Sequence, residues 1–341
     1  MAESYKEQEL NSEQRKEDHI ALAFNAQVNG NQVDDRFYYE PALAGHPADT
    51  KLLATQFMGF DFDLPMWVSS MTGGTERAKH INKNLARLCG DYNIGMGLGS
   101  CRMLLNSDLY FDDFNVRPFM PGRPLFANLG IAQIEQLVES QSLSLIDKMV
   151  TKLQADGLIV HINPMQEWLQ PEGDIYTHSP LDLIKILLEK CPFPIIVKEV
   201  GQGFGPESLK SLLELPLAAI DFGASGGTNF ALLELLRANQ TAQENLSPLA
   251  YIGHTANEMV EMVNVLSENI TNQCKHIIIS GGVKTFLDGY YLTSKCKMSS
   301  IYAQASSFLK PALGTYEELD AYMQIQIKGL SISKQFLRIK S

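Results

Sequence analysis

The sequence predicts an α/β fold, a (β/α)8 TIM barrel with an N-terminal arm. Eight short apolar runs, each ending in small or polar residues, recur between residues 64 and 305. Helical segments alternate with them, and about 250 residues of such alternation is the span of one barrel. A doubly wound open sheet is the runner-up, because periodicity does not count barrel closure.

Residues 1–60 read as an arm and lead-in segment, and 61–341 as the barrel with a C-terminal helix, a single domain overall. The runs are 64–70, 93–100, 124–130, 157–163, 194–200, 217–223, 276–282 and 299–305. They are rich in β-branched and apolar residues without strict alternation, as expected of parallel strands buried on both faces. A ninth run, 248–253, is poorly flanked and reads as a loop. After the first run, Ala78, Ile81, Leu85 and Leu88 recur three and four apart, one face of a helix. Pro206 suits the first turn of a helix, and Thr255 with Glu258 has capping-box spacing. The segment after Pro311 reads as a closing helix. No repeat or low-complexity linker interrupts the chain.

Lys and Arg number 28 against 39 Asp and Glu, a net charge of −11. That acidity argues against a nucleic-acid or anionic-membrane surface. No apolar run reaches the roughly 18 residues that cross a bilayer, and the polar start lacks a secretory h-region. Five scattered cysteines without C-x-x-C fit free thiols. The expectation is a cytoplasmic protein.

In a barrel the C-terminal strand ends form the active site. Here they carry Ser69-Ser70-Met71-Thr72-Gly73-Gly74, Ser100-Cys101-Arg102, Asn128, His161-Ile162-Asn163, Lys198-Glu199, Thr228, Gly281-Gly282 and Gln304. Single polar strand ends are ordinary turn chemistry, but eight in register suggest a site. Gly226-Gly227-Thr228 and Gly281-Gly282 leave backbone N–H groups open to a phosphate. Lys198, in an apolar strand, needs either a structural ion pair, with Glu199 a poorly oriented candidate, or a ligand anion. Glu167 alone suits Mg²⁺ shared with substrate phosphates or a solvated loop acid. The arm's Arg15-Lys16 and His19, with Arg102, offer local positive charge to an anion.

Together, RKEDHI (15–20), SSMTGG (69–74), ANLG (127–130), HINPMQEWLQPEGD (161–174), VKEVGQG (197–203), GGTNFALLE (226–234) and SGG (280–282) resemble the type 2 isopentenyl-diphosphate isomerases. The likeness runs in order from about residue 15 to residue 310. It implies a TIM-barrel flavoprotein interconverting isopentenyl and dimethylallyl diphosphate, with reduced FMN, Mg²⁺ and NADPH as reductant. By this resemblance Ser70, Met71, Thr72, Ser100, Asn128, Lys198 and Thr228 contact FMN, and Gly281, Gly282, Val283, Ala303 and Gln304 hold its phosphate side. Arg15, Lys16, His19, Arg102 and Asn163 take the diphosphate, Gln166 sits beside the double bond, and Glu167 holds Mg²⁺. Gln166 and Lys198 are the catalytic candidates. A homo-oligomer, tetramer or octamer, is also implied. Cys101 stands where the family usually has Gln, and Lys284 where it usually has Arg. The competing readings are another FMN-dependent barrel oxidoreductase, acting on a small hydroxy acid or nucleotide, and a non-enzymatic flavin binder.

Overall fold

The computed structural model describes residues 2–49, 51–70 and 75–340. It divides into two units, one formed by residues up to Tyr39 with those from Arg338, the other by Glu40–Leu337. The smaller unit carries a long helix, Ala2–Leu22, and a short strand, Phe37–Tyr39. Lys340 donates its backbone N–H to the Arg36 carbonyl there. Residues 13–22 of the helix are exposed, as their mostly charged and polar sequence leads one to expect.

The larger unit is a closed barrel of eight parallel strands taken in chain order. They are Met66–Val68, Gly95–Gly97, Leu125–Gly130, Gly157–Ile162, Ile195–Glu199, Ala219–Asp221, His276–Ile279 and Ser299–Gln304. Each predicted run holds one strand, and the residues beyond it turn into the loops of the barrel mouth. The apolar runs are continuous because helices cover the outer face while side chains fill the interior. Leu125–Gly130 and Ile195–Glu199 are buried throughout. The 248–253 reading needs correction: Pro248–Ala250 end the helix Gln240–Ala250, and only the remaining residues are loop.

The helical signals hold. Ala78, Ile81, Leu85 and Leu88 are all buried on Glu76–Asp91, whose N-terminus Thr75 caps through Ala78 N–H. Pro206 opens Pro206–Leu213, and Thr255 with Glu258 completes a capping box before Ala256–Asn269. The closing helix is Tyr316–Phe336, capped by Thr315 and Glu318.

At the N-terminal end of the barrel, a hairpin of Thr55–Phe57 and Phe60–Phe62 packs its aromatics inward. Phe57 meets His276 edge-on at 4.9 Å, and Phe62 stacks on Trp67. Trp67 lies over Gly95, where a Cβ would come within 2.2 Å of its ring. That end is therefore filled, which leaves the opposite, C-terminal end for a ligand. Among the described residues no helix is long and apolar enough to cross a membrane.

Candidate active site

One cavity opens at the C-terminal mouth, and strand-end residues line it: Ser70, Ser100, Asn128, Gln166, Lys198 and Thr228 on one side, Gly281, Gly282, Val283, Ala303 and Gln304 on the other. The parallel strands bring residues as distant in the chain as Ser70 and Gln304 to one rim, so each local motif marks only a part of it. Met71 and Thr72 lie outside the described residues. Arg15, Lys16 and His19 lie on the exposed helix of the smaller unit.

Strand register builds the floor. His161 pairs with Lys198, and Lys198 with Asp221, across three neighbouring strands, so these side chains share one face. Lys198 Nζ donates to Asp221 Oδ2 at 2.9 Å, and both residues are buried. Asp221 also accepts from Ser280 Oγ, which itself accepts the Gly223 N–H at 2.8 Å. Sequence reasoning missed Asp221 and Ser280. The available signal was an acid inside an apolar run, LAAIDFG, one strand along from a lysine inside another. Glu199, the earlier candidate partner of Lys198, turns away. Its Oε2 accepts the N–H groups of Gly201, Gln202 and Gly203 at 2.6–2.7 Å and anchors that loop. Burial pushes its carboxyl above the usual range.

His161 Nδ1 lies 2.7 Å from Asn128 Oδ1, and Asn128 Nδ2 donates to the Leu98 carbonyl at 3.0 Å. With its amide so oriented, Asn128 requires the proton on His161 Nδ1 and leaves Nε2 as an acceptor. Burial, with the charges of Lys198 and Arg102 adding to it, lowers the His161 pKa to about 4. The imidazole is neutral at neutral pH.

The glycine loops stand opposite. Gly281 (φ +86) and Gly282 (φ +72) occupy the left-handed region, and a Cβ on Gly281 would fall 2.0 Å from the Ala224 carbonyl oxygen. Only glycine permits this approach of the seventh-strand loop to the sixth. Gly226 and Gly227 lie directly against Gly282, a Cβ on either falling 3.1–3.2 Å from its backbone. Gln304 is held between Tyr322 Oη, which donates to its Oε1 at 3.0 Å, and the Val283 carbonyl. Its amide thus braces the glycine turn from behind. Ser70 Oγ is buried and has no hydrogen-bond partner among the described residues.

The third wall is a short helix rather than the loop the sequence suggested: Pro164–Leu169, opened by its proline directly after the fourth strand, carries Gln166 and Glu167. Asn163 Nδ2 donates to Glu167 Oε1 at 2.8 Å and to Gln166 Oε1 at 3.1 Å, while Asn163 Oδ1 is buried and unpartnered. Glu167 Oε2 accepts the Asp174 N–H at 2.8 Å, and Asp174 faces Arg102 at 3.8 Å. Gln166 Nε2 lies 3.4 Å from Glu234, a buried carboxylate paired with Arg237. Asp174 and Glu234 are further residues the sequence reading did not single out. Cys101 is fully buried, its thiol pushed up to about 12 by that burial, so it is inert packing beneath the rim.

No family model matches the chain. In fold it is similar to a mandelate oxidase variant carrying a monooxide FMN adduct, with TM-score 0.57, 13% identity, and coverage of 90% of this chain and 89% of that one. It is likewise similar to a flavocytochrome b2 double mutant with pyruvate bound, with TM-score 0.61, 15% identity, and coverage of 87% and 71%. At such identity these show the barrel alone. Curated relatives are nearer. The isopentenyl-diphosphate delta-isomerase of Rickettsia africae (strain ESF-5) is 33% identical over 333 residues, 96% of this chain and 94% of the relative. That of Rickettsia prowazekii (strain Madrid E) is 34% identical over 312 residues, covering 90% and 88%. With a third of the positions shared over nearly the whole of both chains, this chain belongs to the isopentenyl-diphosphate delta-isomerase family.

Proposed function

We propose that the protein interconverts isopentenyl and dimethylallyl diphosphate over reduced FMN held in the barrel mouth, with Mg²⁺ on the diphosphate and NADPH as reductant. The observation that carries this reading is one cavity, in a chain of this family, that joins two glycine loops to Lys198 and Gln166.

The residues fit the cofactor. Ser70 Oγ, buried and unpartnered, lacks the hydrogen bond a ligand atom would provide. Gly226, Gly227, Gly281 and Gly282 keep a ledge free of side chains, where backbone N–H groups could meet a phosphate. Ser100, Asn128, Lys198 and Thr228 would hold the ring side, and Val283 and Ala303 would pack beside the phosphate. When bound, reduced FMN supplies an electron-rich ring able to stabilise positive charge. Mg²⁺ is a hard cation that takes oxygen donors, and Glu167 with the unpartnered Asn163 Oδ1 offers them.

Shifting a double bond by one carbon requires adding a proton at one carbon and removing one from another. Positive charge develops between those events, so the wall around the alkene must not contain a strong nucleophile. Gln166 presents a neutral amide, and the buried thiol of Cys101 is protonated and inert. Gln166 is oriented by Asn163 and Glu234, which makes it a positioned hydrogen-bond partner for the group that moves the proton. Arg102 bears its charge on the rim, half-exposed beside Asp174, ready to meet the diphosphate. Arg15, Lys16 and His19 are proposed as further diphosphate contacts.

The test is direct. FMN-loaded protein, photoreduced without oxygen and given isopentenyl diphosphate and Mg²⁺, should form dimethylallyl diphosphate. The oxidised and flavin-free forms should be silent. Turnover of a 2-hydroxy acid without isomerisation would instead make this barrel an oxidoreductase.

A further inference from the structure

We propose that Asp221 is a positioning residue: together with Ser280 it holds the Lys198 ammonium at a fixed point of the cavity wall, as a hydrogen-bond donor whose charge is already balanced. The ligand it serves rests on the FMN reading of the cavity. The holding itself does not.

The geometry carries the argument. Lys198 and Asp221 are register partners on adjacent strands, 2.9 Å apart, and Asp221 is 1% exposed. Both Asp221 oxygens are engaged, Oδ2 by Lys198 and Oδ1 by Ser280. The Ser280 hydroxyl direction is set because its oxygen accepts from Gly223 N–H. Lys198 Nζ also lies 3.5 Å from Ser280 Oγ. An ammonium has three protons, so at least one is left for the cavity that Lys198 lines. The other titratable groups facing it do not compete. His161, on the strand before, is turned to Asn128 at 2.7 Å, and Glu199, next in the chain, is turned onto its own loop. The Lys198 ammonium and the Asp221 carboxylate therefore offset one another. A ligand atom resting on Lys198 gains a rigid donor but meets no net positive field.

The first measurement uses flavin-free protein. Asp221→Asn leaves a buried ammonium unpaired, which favours the neutral amine. The variant should be less stable than the parent at pH 6, and this deficit should shrink as pH rises toward 9.5, because in the unfolded chain the lysine keeps its proton until about pH 10. A deficit that stays constant with pH would overturn the proposal. The second measurement uses the paired variant Lys198→Met/Asp221→Leu, which removes both charges and should regain most of the stability. It should still bind FMN at least about tenfold more weakly than the parent, on the scale of one lost charge-assisted contact. If it binds FMN as the parent does, the pair is structural only and the proposal fails. If the parent itself binds no FMN, the cofactor reading fails, and the pH-dependent deficit still judges Asp221.

Discussion

Two ion pairs stand at the mouth of this barrel, and they are built differently. Lys198 and Asp221 meet at 2.9 Å with side chains 9% and 1% exposed, whereas Arg102 and Asp174 stand 3.8 Å apart, 57% and 35% exposed. The buried pair cannot separate without stranding a charge in a medium of low polarity, which costs several kcal/mol. The rim pair is in water, where such a contact contributes about 0–1 kcal/mol. On the proposed function, an incoming diphosphate would draw Arg102 from Asp174 at little cost but would not draw Lys198 from Asp221. One pair fixes a donor, and the other keeps a cation available.

The largest expected effect that would break this contrast is on stability. Asp221→Ala should destabilise the protein by about 3–5 kcal/mol, since it leaves Lys198 unpaired. Arg102→Ala, which breaks the rim pair from its exposed side, should cost no more than about 1 kcal/mol. Urea titration of both variants measures the difference, and equal losses would remove the distinction. Next in size is substrate binding. Arg102→Ala should raise KM for isopentenyl diphosphate by the equivalent of about 1.5–3 kcal/mol while leaving FMN content unchanged. Steady-state kinetics with flavin absorbance decide this.

A smaller, pH-dependent effect belongs to His161. Its folded pKa of about 4 lies below the ordinary 6.5. Between those values the unfolded chain binds the extra proton, so stability falls as pH drops through that window and is fully retained above it. His161→Gln should lose less stability from pH 7 to pH 4 than the parent does, as thermal melts would show. The smallest effect separates neighbours on the short helix Pro164–Leu169. Glu167→Gln should raise the Mg²⁺ concentration needed for half-maximal rate, with partial rescue at high Mg²⁺, whereas Gln166→Ala should lower kcat without a change in metal dependence. A metal defect confined to the Gln166 variant would reverse these roles.

Much of this molecule was legible in one dimension. A strand buried on both faces must be apolar throughout, so the eight runs stood out before any pairing was known. Caps act over three residues, so Thr255 with Glu258 could be read directly. Glycines at a strand end signal a backbone that must bend left-handed or approach another closely, as Gly281 and Gly282 do. Lys198 was visible as a cation in an apolar strand.

Its partner was not. Asp221 is 23 residues away and Ser280 is 82, and only the parallel pairing of three neighbouring strands in register places them together. Helix packing likewise brings Gln166 beside Glu234 and Tyr322 behind Gln304. The chain by itself determined where strands and helices begin, because backbone sterics, capping and side-chain periodicity act between near neighbours. The tertiary structure alone decided which charges face each other, how far each is from water, and hence which is held and which is free to move. Electrostatic strength depends on distance and on surrounding polarity, and neither quantity exists until the barrel closes.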